Sequence, residues 1–240
     1  MSNLIRIFLI SLYCVFLSAC HTVSGAAETE TPVTKPTNVI FMLGDGMGHA
    51  YIKAYRMYAD DLATDIVEPL PFDAYLVGSV STDSIRMKCD ELKTNCKRDP
   101  HGITDSASSA TAYATGHDTI IGRLSVDTDG APMETILEAA RQLGKSTGLV
   151  STSQITHATP AAFASHVMSR RQQNDIADQL FDSQWQGAPM VNVMLGGGLQ
   201  YMQREDRNLV SEFSKAGYQV ATNRESMLDM QGDRLLGLFA

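Results

Sequence analysis

Residues 104–116, TDSASSATAYATG, place a serine in the first turn of a short helix made of small residues. Asp105 or Thr104 suits the N-cap, and Gly116 suits the stop just past the helix end. A helix N-terminus offers unpaired backbone N–H groups and a partial positive charge, which hold an oxyanion or lower a hydroxyl's pKa. Ser106 is therefore a candidate nucleophile; the competing reading is a packing helix whose Ala and Ser let two elements approach closely. A second chemical position is Asp45, inside Gly44-Asp45-Gly46-Met47-Gly48. The spacing is G-x-G-x-G rather than the G-x-G-x-x-G of a dinucleotide loop, and a carboxylate facing a pyrophosphate repels it unless a cation intervenes. A hard or borderline cation held by Asp45 resolves that conflict, with a plain turn as the alternative.

These residues need a scaffold. The apolar run 38–43 (NVIFML) reads as a buried strand that delivers Asp45 to its carboxyl end, where open α/β sheets gather functional groups. Residues 49–63 have helical spacing and are expected to pack on the sheet, and 75–80 read as a second strand. Pro132 opens a helix with Ile136, Leu137, Ala140 and Leu143 as its buried stripe, ended by Gly144. Strands are expected over 146–152, 190–195 and 218–221, and helices over 174–185 and 200–215. Alternation of this kind predicts an α/β fold, a three-layer α/β/α arrangement with a largely parallel central sheet.

Composition bounds the function. The 240 residues are 44% hydrophobic and 19% charged, enough for one sizeable core. A net charge of −8 argues against a nucleic-acid partner, which needs a basic face, and an anionic substrate would need a local metal or arginine. Residues 1–20 read as a signal segment: Arg6, an apolar run over 7–17, then Leu17-Ser18-Ala19-Cys20. That ending resembles the lipobox of bacterial lipoproteins, in which cleavage precedes the cysteine and the cysteine is acylated. An ordinary signal peptide is the alternative. His21 is not the aspartate of inner-membrane retention, so the expectation is an exported, periplasmic lipoprotein anchored in the outer membrane through Cys20. Residues 21–37 read as a flexible tether, and 38–240 as the folded domain. Cys89 and Cys96 are then expected to close a small disulfide loop; a zinc site is a weaker alternative, because no histidine pair lies nearby.

Four stretches in order resemble the alkaline phosphatase family: NVIFMLGDGMG (38–48), TDSASSATAYATG (104–116), the stretch 148–160 ending in HATP, and HVMSR (166–170). The MLGGG ending in Gly196 to Gly198 fits as well, and the match covers the first half of that family's domain. The resemblance implies that Ser106 forms a phosphoserine and that Arg170 clamps the phosphate, a task suited to a planar bidentate donor. It implies two zinc ions and one magnesium, with Asp45 shared between a zinc and the magnesium, Thr159 on the magnesium and Ser106 as the metal-activated hydroxyl. His157 stands where family members vary between aspartate and histidine, which implies contact with the magnesium's water shell or a changed metal preference. Asp105 is expected to orient the loop and the arginine. His49, His101, His117 and His166 read as hydrogen-bonded scaffold, since none has ligand-pair spacing.

Most of the family's metal ligands come from sequence beyond residue 240, and the apolar ending 235–240 reads as a core strand emerging toward a functional edge. The expectation is a fragment, incomplete at its C-terminus and inactive alone, from a protein that hydrolyses phosphate monoesters. The competing readings are a diesterase or sulfatase sibling, which tends to use threonine or a modified cysteine where Ser106 stands, and a non-catalytic lipid-anchored fragment or weak anion-binding module. A homodimer is common in the family and is carried over only as such.

Overall fold

The computed structural model describes residues 37–61, 63–64, 67–91, 96–99 and 103–239. The signal segment, Cys20 and nearly all of the tether lie outside the described residues, as does His101. The chain divides into two units, 1–43 and 44–240. In the first, 37–43 carries no strand, and Val39, Ile40, Phe41 and Met42 are exposed. The strand expected over 38–43 is thus not formed. An apolar run becomes a strand only where a neighbouring strand takes up its backbone groups, and no described strand pairs with it.

In the second unit, α1 (His49–Ala59) forms as expected but buries none of its residues, so it does not pack on the sheet as its spacing implied. Arg56 instead makes a paired contact, 2.5 and 2.7 Å, with Asp73 of a 3-10 turn over Asp73–Tyr75. That turn and the irregular, exposed stretch after it replace the strand expected over 75–80. An antiparallel hairpin, β1 (Arg86–Cys89) and β2 (Cys96–Asp99), sets the backbone of Cys89 opposite Cys96. The bonding of the two sulfurs lies outside what the structure describes.

The sheet that organises the chain has four strands, β3 (Gly148–Gln154), β6 (Val193–Gly197), β7 (Gln219–Ala221) and β8 (Leu235–Leu238), in the order β3-β6-β8-β7. Every pairing is parallel. Helices α2 (Ser106–Thr115), α3 (Ile136–Gln142), α4 (Ala158–Ala161), α5 (Gln173–Asp182), α6 (Leu199–Met202), α7 (Leu209–Lys215) and α8 (Arg224–Leu228) flank it. A minor two-stranded ribbon, β4 (Gln184–Trp185) and β5 (Ala188–Pro189), lies between α5 and β6. The α/β fold with a parallel central sheet is therefore as the sequence implied. Its central strands read as apolar runs because parallel strands are covered on both faces, and Met194 and Leu236 are wholly buried.

Helix boundaries shifted where capping competed with periodicity. Pro132 does not open α3; it forms an antiparallel bridge with Val126, and α3 starts at Ile136 behind a capping box of Thr135 and Glu138. Only Leu137 of the expected stripe is deeply buried, while Ile136 and Leu143 are exposed. The helix expected over 200–215 is two short helices, α6 and α7, separated by a turn in which Asn208 caps α7. Phe213 of α7 stacks edge-on against both Phe181 and Tyr218, each at 4.9 Å. The Tyr218 hydroxyl donates to Val191 O at 2.6 Å, and burial pushes the phenol up to about 12. Tyr218→Phe is expected to lower stability by about 1 kcal/mol, read as a lower urea midpoint with unchanged slope, because a buried carbonyl loses its partner.

Candidate active site

The site is built on the start of α2. Asp105 sits in extended backbone as its N-cap, and its Oδ1 accepts from the Ser108 N–H at 3.0 Å and the Ser108 hydroxyl at 2.8 Å. The same oxygen accepts from the Gly122 N–H at 3.2 Å, and Oδ2 lies 3.1 Å from Arg170 Nη1. Burial works against the ionised carboxylate, but the Ser108, Arg170 and Gly122 donors outweigh it and hold Asp105 below the ordinary carboxylate range. Asp105 rather than Thr104 is thus the cap, and it orients both loop and arginine. Small residues follow because α2 is packed tightly: Ala107, Ala110 and Ala114 are buried. The stretch thus packs closely, as its small residues imply. Gly116 ends the helix at φ 76, a left-handed conformation that disfavours a Cβ. Gly116→Ala is expected to cost about 1 kcal/mol in thermal or urea unfolding, with no steric clash to add to it, since nothing lies within 4 Å of the new Cβ.

Ser106, the first residue of α2, accepts from Arg170 Nη1 at 2.7 Å. One guanidinium edge thus spans the nucleophile candidate and its capping carboxylate. The other nitrogen, Nη2, lies 3.3 Å from His157 Nε2. Because an arginine only donates, His157 Nε2 is the acceptor and the imidazole proton sits on Nδ1. That Nδ1 is buried with no hydrogen-bond partner. A buried N–H of this kind calls for an oxygen acceptor, and the nitrogen that could ligate a metal directly is already engaged by Arg170. In this arrangement His157 presents Nε2 to Arg170 and not to a metal.

His157 also precedes α4, whose Thr159 hydroxyl donates to Asp45 Oδ2 at 2.8 Å across 114 residues of sequence. Asp45 is not at a strand end as expected, since the segment before it is irregular. Even so, two oxygen groups that share no local sequence meet on α4. The structure thus joins Ser106, Arg170 and His157 in one contact chain and pairs Asp45 with Thr159, two residues from His157. Hard oxygen donors of this type suit magnesium. Among the described residues, no group of three His, Cys, Asp or Glu side chains is placed to hold a metal.

Gly122, which donates to Asp105, escaped the sequence reading, as did Ser125 and Glu138, which contact the His166 ring. The signal for Glu138 was present as Thr135-x-x-Glu138, the capping-box spacing. His166 is scaffold, as expected, with both ring nitrogens hydrogen-bonded.

Comparison with known proteins decides the family. A model of the family described as alkaline phosphatase matches residues 36–240. The chain belongs to the alkaline phosphatase family. Alkaline phosphatase 3 of Bacillus subtilis (strain 168) is 47% identical over 203 residues, covering 85% of this chain and 41% of that protein. Alkaline phosphatase 4 of the same organism is 42% identical, covering 85% of this chain and 42% of that protein. A crystal structure of a cold-active alkaline phosphatase from the psychrophile Shewanella sp. superposes with a TM-score of 0.64 at 36% identity, over 82% of this chain and 44% of that one. The chain thus spans about two fifths of the length of these alkaline phosphatases.

Proposed function

We propose that the protein carrying this chain hydrolyses phosphate monoesters through a phosphoserine at Ser106. The observation that carries the reading is the 2.7 Å contact from Arg170 Nη1 to Ser106 Oγ at a helix N-terminus. The chain spans only part of its relatives, so the activity is assigned to the whole protein, and the 240 residues alone are expected to be inactive. In the first step Ser106 Oγ bonds to phosphorus as the phosphorus–ester oxygen bond breaks, and the alcohol leaves with a proton. Water then bonds to phosphorus, the phosphorus–Oγ bond breaks, and inorganic phosphate leaves. Arg170 is anchored by Asp105, so its planar fork is preorganised for the negative oxygens that gather around phosphorus in both steps. The α2 N-terminus adds backbone donors on the same side.

The Asp45–Thr159 oxygen pair fits a share of a magnesium site, and His157 lies two residues from Thr159. Ser106 and Asp45 would provide oxygens toward zinc. Two zinc ions and one magnesium, when bound, would lower the serine hydroxyl's pKa and stabilise attacking and leaving oxygens. The remaining ligands are assigned to the part of the relatives' length that this chain does not span. Export as an outer-membrane lipoprotein through Cys20 rests on the residue pattern of 6–20, and a homodimer rests on family habit alone.

The competing reading, a weak anion-binding module, is favoured by the lack of a three-member ligand cluster among the described residues. The test is hydrolysis of a chromogenic phosphate monoester, with zinc and magnesium content per chain, measured on the whole protein and on residues 37–240. Turnover only in the whole protein supports the proposal. Phosphate binding without turnover in both supports the module.

A further inference from the structure

The segment that carries Arg170 is fastened at both ends. Leu124 and Val167 exchange backbone hydrogen bonds of 3.0 Å, and the Arg170 N–H donates to Gly122 O at 2.7 Å. From α5, Gln179 accepts from the His166 N–H at 2.6 Å and donates to its carbonyl at 3.0 Å. The His166 ring closes the arrangement, with Nδ1 2.8 Å from Ser125 O and Nε2 2.9 Å from Glu138 Oε1. Glu138 is itself tied down by the Thr135 N–H at 2.8 Å. Ser125 is buried at φ 44, and its hydroxyl donates to Ala162 O. A left-handed conformation in a residue other than glycine persists only where its surroundings over-determine it.

We propose that His166 is a positioning residue whose ring, held between Ser125 and Glu138, sets the strap 166–170 from which Arg170 reaches Ser106. The inference rests on Arg170 and Ser106 being the reacting pair. Both ring neighbours are acceptors, so satisfying both requires a proton on each nitrogen, an imidazolium. The charged group facing the ring is Glu138 of α3; α5 presents the neutral Gln179, and the 122–125 segment presents the Ser125 carbonyl. Burial opposes the charge, but Glu138 and the Ser125 carbonyl outweigh it and hold His166 above its ordinary value, with Glu138 correspondingly held below its own. The raised value means that the His166 contribution is complete below the ordinary imidazole pKa and fades as pH rises through the folded value.

Two measurements test this. In the whole protein, nuclear magnetic resonance follows the His166 Cε1 proton against pH, together with the Arg170 Nε–H signal. The expected result is a His166 midpoint above the ordinary range that moves down in Glu138→Gln, and an Arg170 signal that broadens in Glu138→Gln and His166→Asn. A His166 midpoint at the ordinary value, or an unchanged Arg170 signal in both folded variants, overturns the proposal. In the whole protein, His166→Asn is expected to lower kcat/KM by about tenfold to a hundredfold, and to add no further loss in an Arg170→Ala background. Additive losses in the two backgrounds also overturn it. If the unmutated protein turns over no phosphate ester, the proposed function fails, and the resonance measurement alone decides the positioning role.

Discussion

Ser106→Ala in the whole protein is expected to abolish trapping of a phosphorylated enzyme and to lower turnover by on the order of 10³-fold or more. The loss is chemical rather than structural. The Ser106 hydroxyl accepts from Arg170, and that guanidinium keeps Asp105 as a partner when the hydroxyl is gone. The N-cap of α2 belongs to Asp105, so the helix keeps its start. The variant should therefore unfold within about 0.5 kcal/mol of the parent while losing covalent chemistry. Acid quench after incubation with radiolabelled phosphate ester reads the first outcome, and a urea curve reads the second. Phosphoenzyme that persists in the folded variant would remove Ser106 from the mechanism.

Asp105→Ala carries the largest expected stability effect, and its pH dependence follows from the same contacts. The substitution removes an N-cap, worth roughly 0.5–2 kcal/mol. It also strips the acceptor from the Gly122 N–H in a part-buried setting, where an orphaned donor costs about 1 kcal/mol or more; the Ser108 N–H bond is the cap itself. A total of roughly 1.5–3 kcal/mol is expected once partial solvent access is allowed for. Arg170 loses its anchor as well, so kcat/KM should fall even where the protein remains folded. Because the folded-state pKa of Asp105 is lowered, its contribution is present above the ordinary carboxylate value. It is lost as pH falls through the depressed folded value. Stability of the parent should therefore decline on the acid side, and the Asp105→Ala variant should show a shallower decline. Paired urea titrations across the acid range measure the difference; parallel curves would mean that Asp105 contributes no linkage.

Much of the sheet was legible because parallel strands covered on both faces leave short apolar runs between helical patterns, as at Met194 and Leu236. The runs at 38–43 and 75–80 carry the same signal, yet neither is a strand. Apolar character states that a segment seeks burial, while strand formation depends on which neighbour reaches it. The start of α3 departs from the expectation for a local reason. Pro132 looked like a first-turn residue, but the Thr135–Glu138 box supplied a stronger start three residues later.

By itself the sequence determined the local chemistry of this protein. Asp105 and Ser106 stand at a helix start, Gly116 stands at its left-handed end, and strands alternate with helices in a parallel order. Those features follow from interactions within a few residues, where cap geometry and side-chain period leave little choice. Only the tertiary structure decided which distant groups meet. Arg170 closes on Ser106 across 64 residues, Gly122 on Asp105 across 17, Glu138 on His166 across 28 and Thr159 on Asp45 across 114. Each of those contacts depends on the path of the whole chain around the sheet, because a hydrogen bond reaches about 3 Å and carries no trace of its partner in the sequence near it.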